Sequence, residues 1–111
     1  MTKDTIEGIL GELGILYGYG DIENPMTPYA AYYIGDTVIT CADTYPASGA
    51  TVRADDVTVE LYTTGKDWEL EDRLEAMIER YSPRKHEERN YYESVYQITY
   101  TFTITEKRRR T

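Results

Sequence analysis

Residues 95–105 read VYQITYTFTIT. Tyr96, Ile98, Tyr100, Phe102 and Ile104 occupy every second position, with Val95, Gln97, Thr99, Thr101, Thr103 and Thr105 between them. Strict period-two alternation over this length identifies a half-buried strand, and β-branched and aromatic residues suit a pleated surface. The charged stretch before it, Lys85 to Tyr91, fits an exposed edge strand paired antiparallel with it, the turn falling near Tyr92, Glu93 and Ser94.

Working back along the chain, DWELEDRLEAMIERY (67–81) carries the strongest helical pattern. Leu70, Leu74, Met77, Ile78 and Tyr81 repeat at helical spacing, Asp67 is placed to cap the start, and Ser82-Pro83 stops the run. Glu69, Glu71, Asp72, Glu75 and Glu79 are expected on the outward side with Arg73 and Arg80. Val57, Val59 and Leu61 alternate with polar neighbours as a strand. Tyr29 to Ile34 reads as a central strand, Gly35-Asp36 as a turn, and Val38 to Ala42 as a short return strand. Leu16 to Pro28, broken by Gly18, Gly20, Pro25 and Pro28, reads as irregular. Near the N-terminus Ile6, Ile9, Leu10 and Leu13 share one helical face, with Asp4 or Thr2 as cap and Gly14 as stop. The expected fold is α+β: a small, mainly antiparallel sheet with two helices packed on one face.

The 111 residues suffice for one domain, expected over 1–106, with 107–111 as a frayed, solubilising basic tail. Four of the twelve basic residues lie in that tail, leaving eight basic against twenty acidic in the body, a net of −12. A body so acidic repels phosphate backbones, so specific nucleic-acid binding is not expected. No apolar run reaches the ~20 residues of a membrane span, and MTKDTIEGIL is acidic where a signal peptide is basic. The expectation is a soluble protein made in a reducing cytoplasm, with no membrane partner.

Reactive groups do not converge in the sequence. Cys41 and His86, the single cysteine and histidine, make no zinc constellation. Cys41 sits among uncharged neighbours that would leave its thiol protonated, and reads as a core residue. His86 lies among charges on the expected edge strand. Gly18-Tyr19-Gly20 lacks the lysine that completes a phosphate loop. No catalytic, cofactor-binding or metal-binding residue is assigned, and no cofactor is expected.

Tyrosine accounts for twelve of the fourteen aromatic residues, and tyrosine combines a large buried area with a polar handle. Tyr45, Tyr62, Tyr91 and Tyr92 lie at turns or opposite the aliphatic positions. They either cover the sheet's second face within the monomer or form an interface. Gln97, Thr99 and Thr101, on the uncharged side of the closing strand, join them as interface candidates.

Four segments in order resemble a family of siphophage and prophage tail-completion, or tail-terminator, proteins of Gram-positive hosts. They are PMTPYAAYYIG (25–35), CADTYPA (41–47), VELYTTGKDWELEDRLEAMI (59–78) and ESVYQITYTFTI (93–104). The shared pattern is a proline-led aromatic strand, an Ala-Asp element before a tyrosine, a Glu-Leu-Tyr strand, a Lys-Asp helix opening and a Glu-Ser-x-Tyr-x-x-x-Tyr strand. It spans residues 5–105; the RRRT terminus and the Gly14 to Gly20 stretch lie outside the family pattern.

The resemblance implies a non-enzymatic virion component of the tail and neck, a ring of self-associated copies, usually six. Its partners would be the tail-tube protein and the head connector, with genome DNA passing through unbound. An acidic lumen would let DNA slide by repulsion, and Asp21, Glu23, Asp55 and Asp56 are candidate lumen carboxylates. The ring interface is expected at the sheet edge and the long irregular region Gly35 to Asp56. The alternative is a small acidic inhibitor or regulatory module that binds a basic protein one to one.

Overall fold

A computed structural model describes residues 2–20, 26–41, 50–90 and 95–109. Its elements are α1 (Thr2–Glu12), β1 (Leu16–Tyr19), β2 (Tyr29–Cys41), β3 (Ala50–Thr64), α2 (Trp68–Ile78), β4 (Arg84–Asn90) and β5 (Val95–Arg109). A 3-10 turn, Glu79–Tyr81, continues α2. The strands form one sheet in the order β1-β2-β3-β5-β4, parallel at β1–β2 and antiparallel at the other three junctions. Both helices pack on the same face, giving the α+β architecture expected.

The helix ends follow their sequence signals. Asp67 Oδ1 accepts the Leu70 backbone N–H at 3.0 Å, satisfying one of the donors a helix start leaves open. Ser82, at φ 52°, closes the 3-10 turn before Pro83. Gly14, at φ 72°, takes the left-handed conformation that ends α1. Neither expected cap starts α1: Thr2 is already its first residue, and its hydroxyl bonds Asp55 on β3. Arg73 on α2 donates to the Glu12 carbonyl at 3.0 Å, placing a cation at the negative end of α1.

The core lies between the layers. Ile6, Leu10 and Leu13 of α1 and Leu70, Leu74 and Ile78 of α2 meet Tyr32 of β2, Val57, Val59 and Leu61 of β3, and Ile98, Tyr100, Phe102 and Ile104 of β5. Tyr96 and Tyr81 pack against this cluster, and the Tyr81 ring stacks on Phe102 at 5.4 Å. Every residue assigned to the inner face of the closing strand therefore lies on the helix side.

Four expectations need correcting. Leu16–Tyr19, read as irregular, is a short edge strand, recruited by parallel pairing with Tyr29–Tyr32 despite its glycine. Gly35-Asp36 is not a turn: the pairing register shifts between Ile34 and Thr37, and β2 runs on through the bulge to Cys41. The region Gly35 to Asp56 is thus mostly two paired strands, and only residues 42–49 of it lie outside the described residues. The basic terminus is not frayed through residue 109, because Lys107, Arg108 and Arg109 pair with Val52, Thr51 and Ala50.

These long strands make the molecule extended, 57 × 26 × 22 Å. Its radius of gyration is 16.4 Å, against about 13 Å for a globular chain of this length. Its accessible surface is 7355 Å², against roughly 6,300 Å² for that mass.

Leu74 is completely buried beneath α2. Leu74→Ala should lower unfolding free energy by about 2–5 kcal/mol in urea titration. A loss below about 1 kcal/mol, the range of a surface substitution, would contradict this placement of α2.

Candidate interaction surface

The helices cover one face of the sheet, and among the described residues none covers the other, called here the open face. Alternation sends Tyr29, Ala31 and Tyr33 of β2 to the open face, with Asp56, Thr58, Glu60 and Tyr62 of β3 and Gln97, Thr99, Thr101 and Thr103 of β5. Tyr29 and Tyr62 are register partners, and their rings stack at 4.5 Å and 11°. Both are half-buried, and Ala31 beside them is 3% exposed although no helix lies on this side. Burial, followed by the Glu60 carboxylate, pushes the Tyr62 phenol well above its ordinary pKa.

The interface candidates within the described residues share this face. Gln97 opposes Tyr62 and donates to Glu60 Oε2 at 2.6 Å and Thr99 Oγ1 at 3.4 Å, so the one carboxylate in the middle of the face is engaged. Thr99 is half-buried between Glu60 and His86; Thr101 is exposed between Thr58 and Arg84. Tyr45, Tyr91 and Tyr92 lie outside the described residues.

Among the candidate lumen carboxylates, Asp21 and Glu23 also lie outside the described residues. Asp56 is exposed on the open face and accepts from Thr103 at 3.0 Å. Asp55 is a correction. It points to the helix side, is 0% exposed, and accepts from Thr2 and Thr37 at 2.5 Å each and from Arg53 Nε at 3.1 Å. A carboxylate so enclosed lines no lumen. Burial alone would raise its pKa, but the bonds from Thr2, Thr37 and Arg53 outweigh that and hold it below the ordinary value of 3.8.

A second polar group lies between α2 and the β4 edge. Glu71, expected on the outward side, is 1% exposed. Its Oε1 accepts from Lys66 and Lys85 at 2.9 Å each, and its Oε2 is buried without a partner among the described residues. Lys66 also bonds Glu87 on β4, while Lys85 bonds Glu75 at 2.9 Å. Tyr100, buried in the core, donates to Glu75 Oε2 at 2.9 Å. Burial opposes charge at Lys66, Lys85 and Glu75. Even so, the lysines titrate above and Glu75 below their ordinary values, because each charged form is hydrogen-bonded by its partners. The helical repeat hides this group, since Lys66 and Lys85 come from a loop and a strand that only folding brings together. The group ties α2 to the edge strand, and no open pair of reactive groups emerges from it.

His86 is exposed at the edge, 3.2 Å from Glu88. Among the described residues, no three His, Cys, Asp or Glu side chains converge as a metal site, and no helix is long and apolar enough to cross a membrane. In comparison with known proteins, the chain matches no protein-family model and no curated protein.

Asp55→Ala should cost about 3 kcal/mol by removing a buried acceptor shared by three donors. The pH dependence has a definite sign. With the folded pKa depressed, the carboxylate's contribution is complete above about pH 5 and is lost as pH falls through 3.8 toward the folded value. Urea unfolding of wild type and Asp55→Asn should therefore differ at pH 7 and converge toward pH 3. An equal gap at both pH values would contradict the charged Asp55 cluster.

Proposed function

We propose that this chain is a non-enzymatic phage structural protein that completes the tail tube and joins it to the head as a homo-oligomeric ring. The observation that carries the reading is the open sheet face. It is tyrosine- and threonine-rich, and its central carboxylate is already hydrogen-bonded by Gln97. A neighbouring subunit could cover such a face without stranding a buried charge. The order of the four resembling segments supports the family, and the net charge of −12 over residues 1–106 supports a conduit to which DNA does not adhere. Tail-tube protein and head connector are the partners this role requires, and the virion neck is its location.

A second reading draws on a groove between the helices. Gly8, Ile9 and Met77 form its apolar part, and Asp4, Glu12 and Glu79 its acidic rim, beside Arg80. That chemistry suits a basic segment of another protein, as an inhibitor or regulatory module would use it. The readings separate on self-association: a ring needs heterologous contacts between copies, whereas an inhibitor forms a one-to-one complex with its target.

Thr101→Lys tests the ring directly. Thr101 is exposed, so the variant should keep its circular dichroism spectrum and lose less than about 1 kcal/mol of stability. An unpaired cation buried between subunits should weaken assembly by about two orders of magnitude in sedimentation and abolish complementation of a tail-terminator-deficient phage. A folded variant that still terminates tails at normal length would remove this face from the interface.

A further inference from the structure

α1 and α2 are tied to one another where Arg73 donates to the Glu12 carbonyl at 3.0 Å. A groove of about 530 Å³ runs between them, from Asp4 to Glu12 along α1 and from Ala76 to Arg80 along α2. Its α1 wall is about 12 Å long, slightly more than two helical turns. Ile9 and Met77, one on each wall, are half-buried and rooted in the core. Gly8 and Ala76, their chain neighbours, are exposed and keep the groove open.

Gly8 is the informative residue. It lies mid-helix, where glycine costs about 1 kcal/mol relative to alanine. Its φ is outside the left-handed region, so the backbone does not require it, and a Cβ there would meet nothing within 4 Å. Gly11 differs, because a Cβ there would touch Tyr17 at 3.8 Å. Among the described residues, nothing fills the space above Gly8. A missing side chain lets another backbone approach closely, and Met77 on the facing wall has the flexible side chain that moulds to what enters.

The walls decide the form of the occupant. Along their length, helices satisfy their own backbone groups, so an extended segment would find no backbone partners in this groove. A helix brings its backbone already satisfied. Charge decides the sign. Asp4 and Glu12 stand at the two ends of the α1 wall and Glu79 on the α2 wall, all exposed. None of these three carboxylates holds a hydrogen bond or ion pair among the described residues. Arg80, also on the rim, lies over the Tyr81 ring at 4.9 Å. Three free carboxylates beside one engaged guanidinium complement a cationic partner.

We infer that the groove takes an amphipathic helix of a partner protein. Its apolar residues, at i, i+3 or i+4 and i+7, would lie along Gly8 and Ala76, with Lys or Arg beside them facing Asp4, Glu12 and Glu79. Anchors at that spacing span about 10.5 Å, which matches the α1 wall. The inference rests on the reading of this groove as the site of a basic segment. It leaves the opposite face of the sheet free for self-association.

The test titrates the full chain with a synthetic Leu–Lys peptide of about 18 residues whose leucines follow that spacing. A second peptide has the same composition with the spacing scrambled. The first should bind in the micromolar range and gain helical circular dichroism on binding, and the second should bind at least tenfold more weakly. Gly8→Leu puts a side chain into the groove where a Cβ has room, so the variant should stay folded and weaken binding at least tenfold. Glu79→Lys, at the end of α2 where the helix dipole favours a cation, should weaken it as much. Asp36→Lys makes the same charge change outside the groove and should alter affinity less than twofold. If Gly8→Leu does not fold, Glu79→Lys decides.

Equal binding of both peptides, lost in Gly8→Leu or Glu79→Lys, would overturn the helix and leave the groove as a site for a basic segment. Binding that survives in the folded groove variants, or that falls as far with Asp36→Lys, would overturn the groove and the reading it rests on. Absence of binding by either peptide would overturn both as well.

Discussion

Two helices of 11 residues cannot cover a sheet whose long strands have 13 and 15. Each helix reaches about 16 Å, whereas a 15-residue strand reaches about 50 Å. This mismatch governs the molecule. The helical layer buries the core over the middle of β2, β3 and β5 and leaves one face and one end of the sheet without a helix among the described residues. The radius of gyration, well above that of a globular chain of equal length, follows from the same mismatch.

The layer that does exist is tied to the sheet by polar contacts at its margins. Tyr32 donates to Glu7 on α1 at 2.6 Å and Tyr100 donates to Glu75 on α2, so a buried ring in each case sends its hydroxyl to a helix carboxylate. Burial, followed by the carboxylate, raises both phenols above their ordinary pKa and keeps them as donors. Asp55 fixes the start of α1 where β2 resumes after its bulge, and Glu71 with Lys66 and Lys85 fixes the start of α2 against β4. With one carboxylate lacking a partner for its second oxygen, these ties contribute less to net stability than to fixing where the short layer sits.

Period-two and helical spacings were readable in the sequence wherever one face of an element is buried. VYQITYTFTIT and DWELEDRLEAMIERY therefore took their observed form, down to the Asp67 cap and the Ser82 stop. Spacing carries no information where burial is absent, and the end of the sheet without a helix is the example. Thr37–Cys41 and Ala50–Ala54 lie in strands held by pairing alone, so Gly35-Asp36 looked like a turn. Asp55 and Glu71 failed for a different reason. A carboxylate is assigned outward by type, and only long-range partners such as Thr2, Thr37, Lys66 and Lys85 make its burial tolerable. Of the candidate surface, the threonine face was legible from alternation, while the Tyr29–Tyr62 stack depended on a strand register that no single segment encodes.

The self-associating role proposed above would use the sheet face that, among the described residues, no helix covers. Amide hydrogen exchange followed across protein concentration tests that account most directly. Association across the open sheet face predicts that amides in residues 58–62 of β3 and 97–101 of β5 gain protection as concentration rises, while those of α2 stay unchanged. Oligomers that form with no change of protection in those two segments, or a protein whose exchange is identical at every concentration, would contradict it.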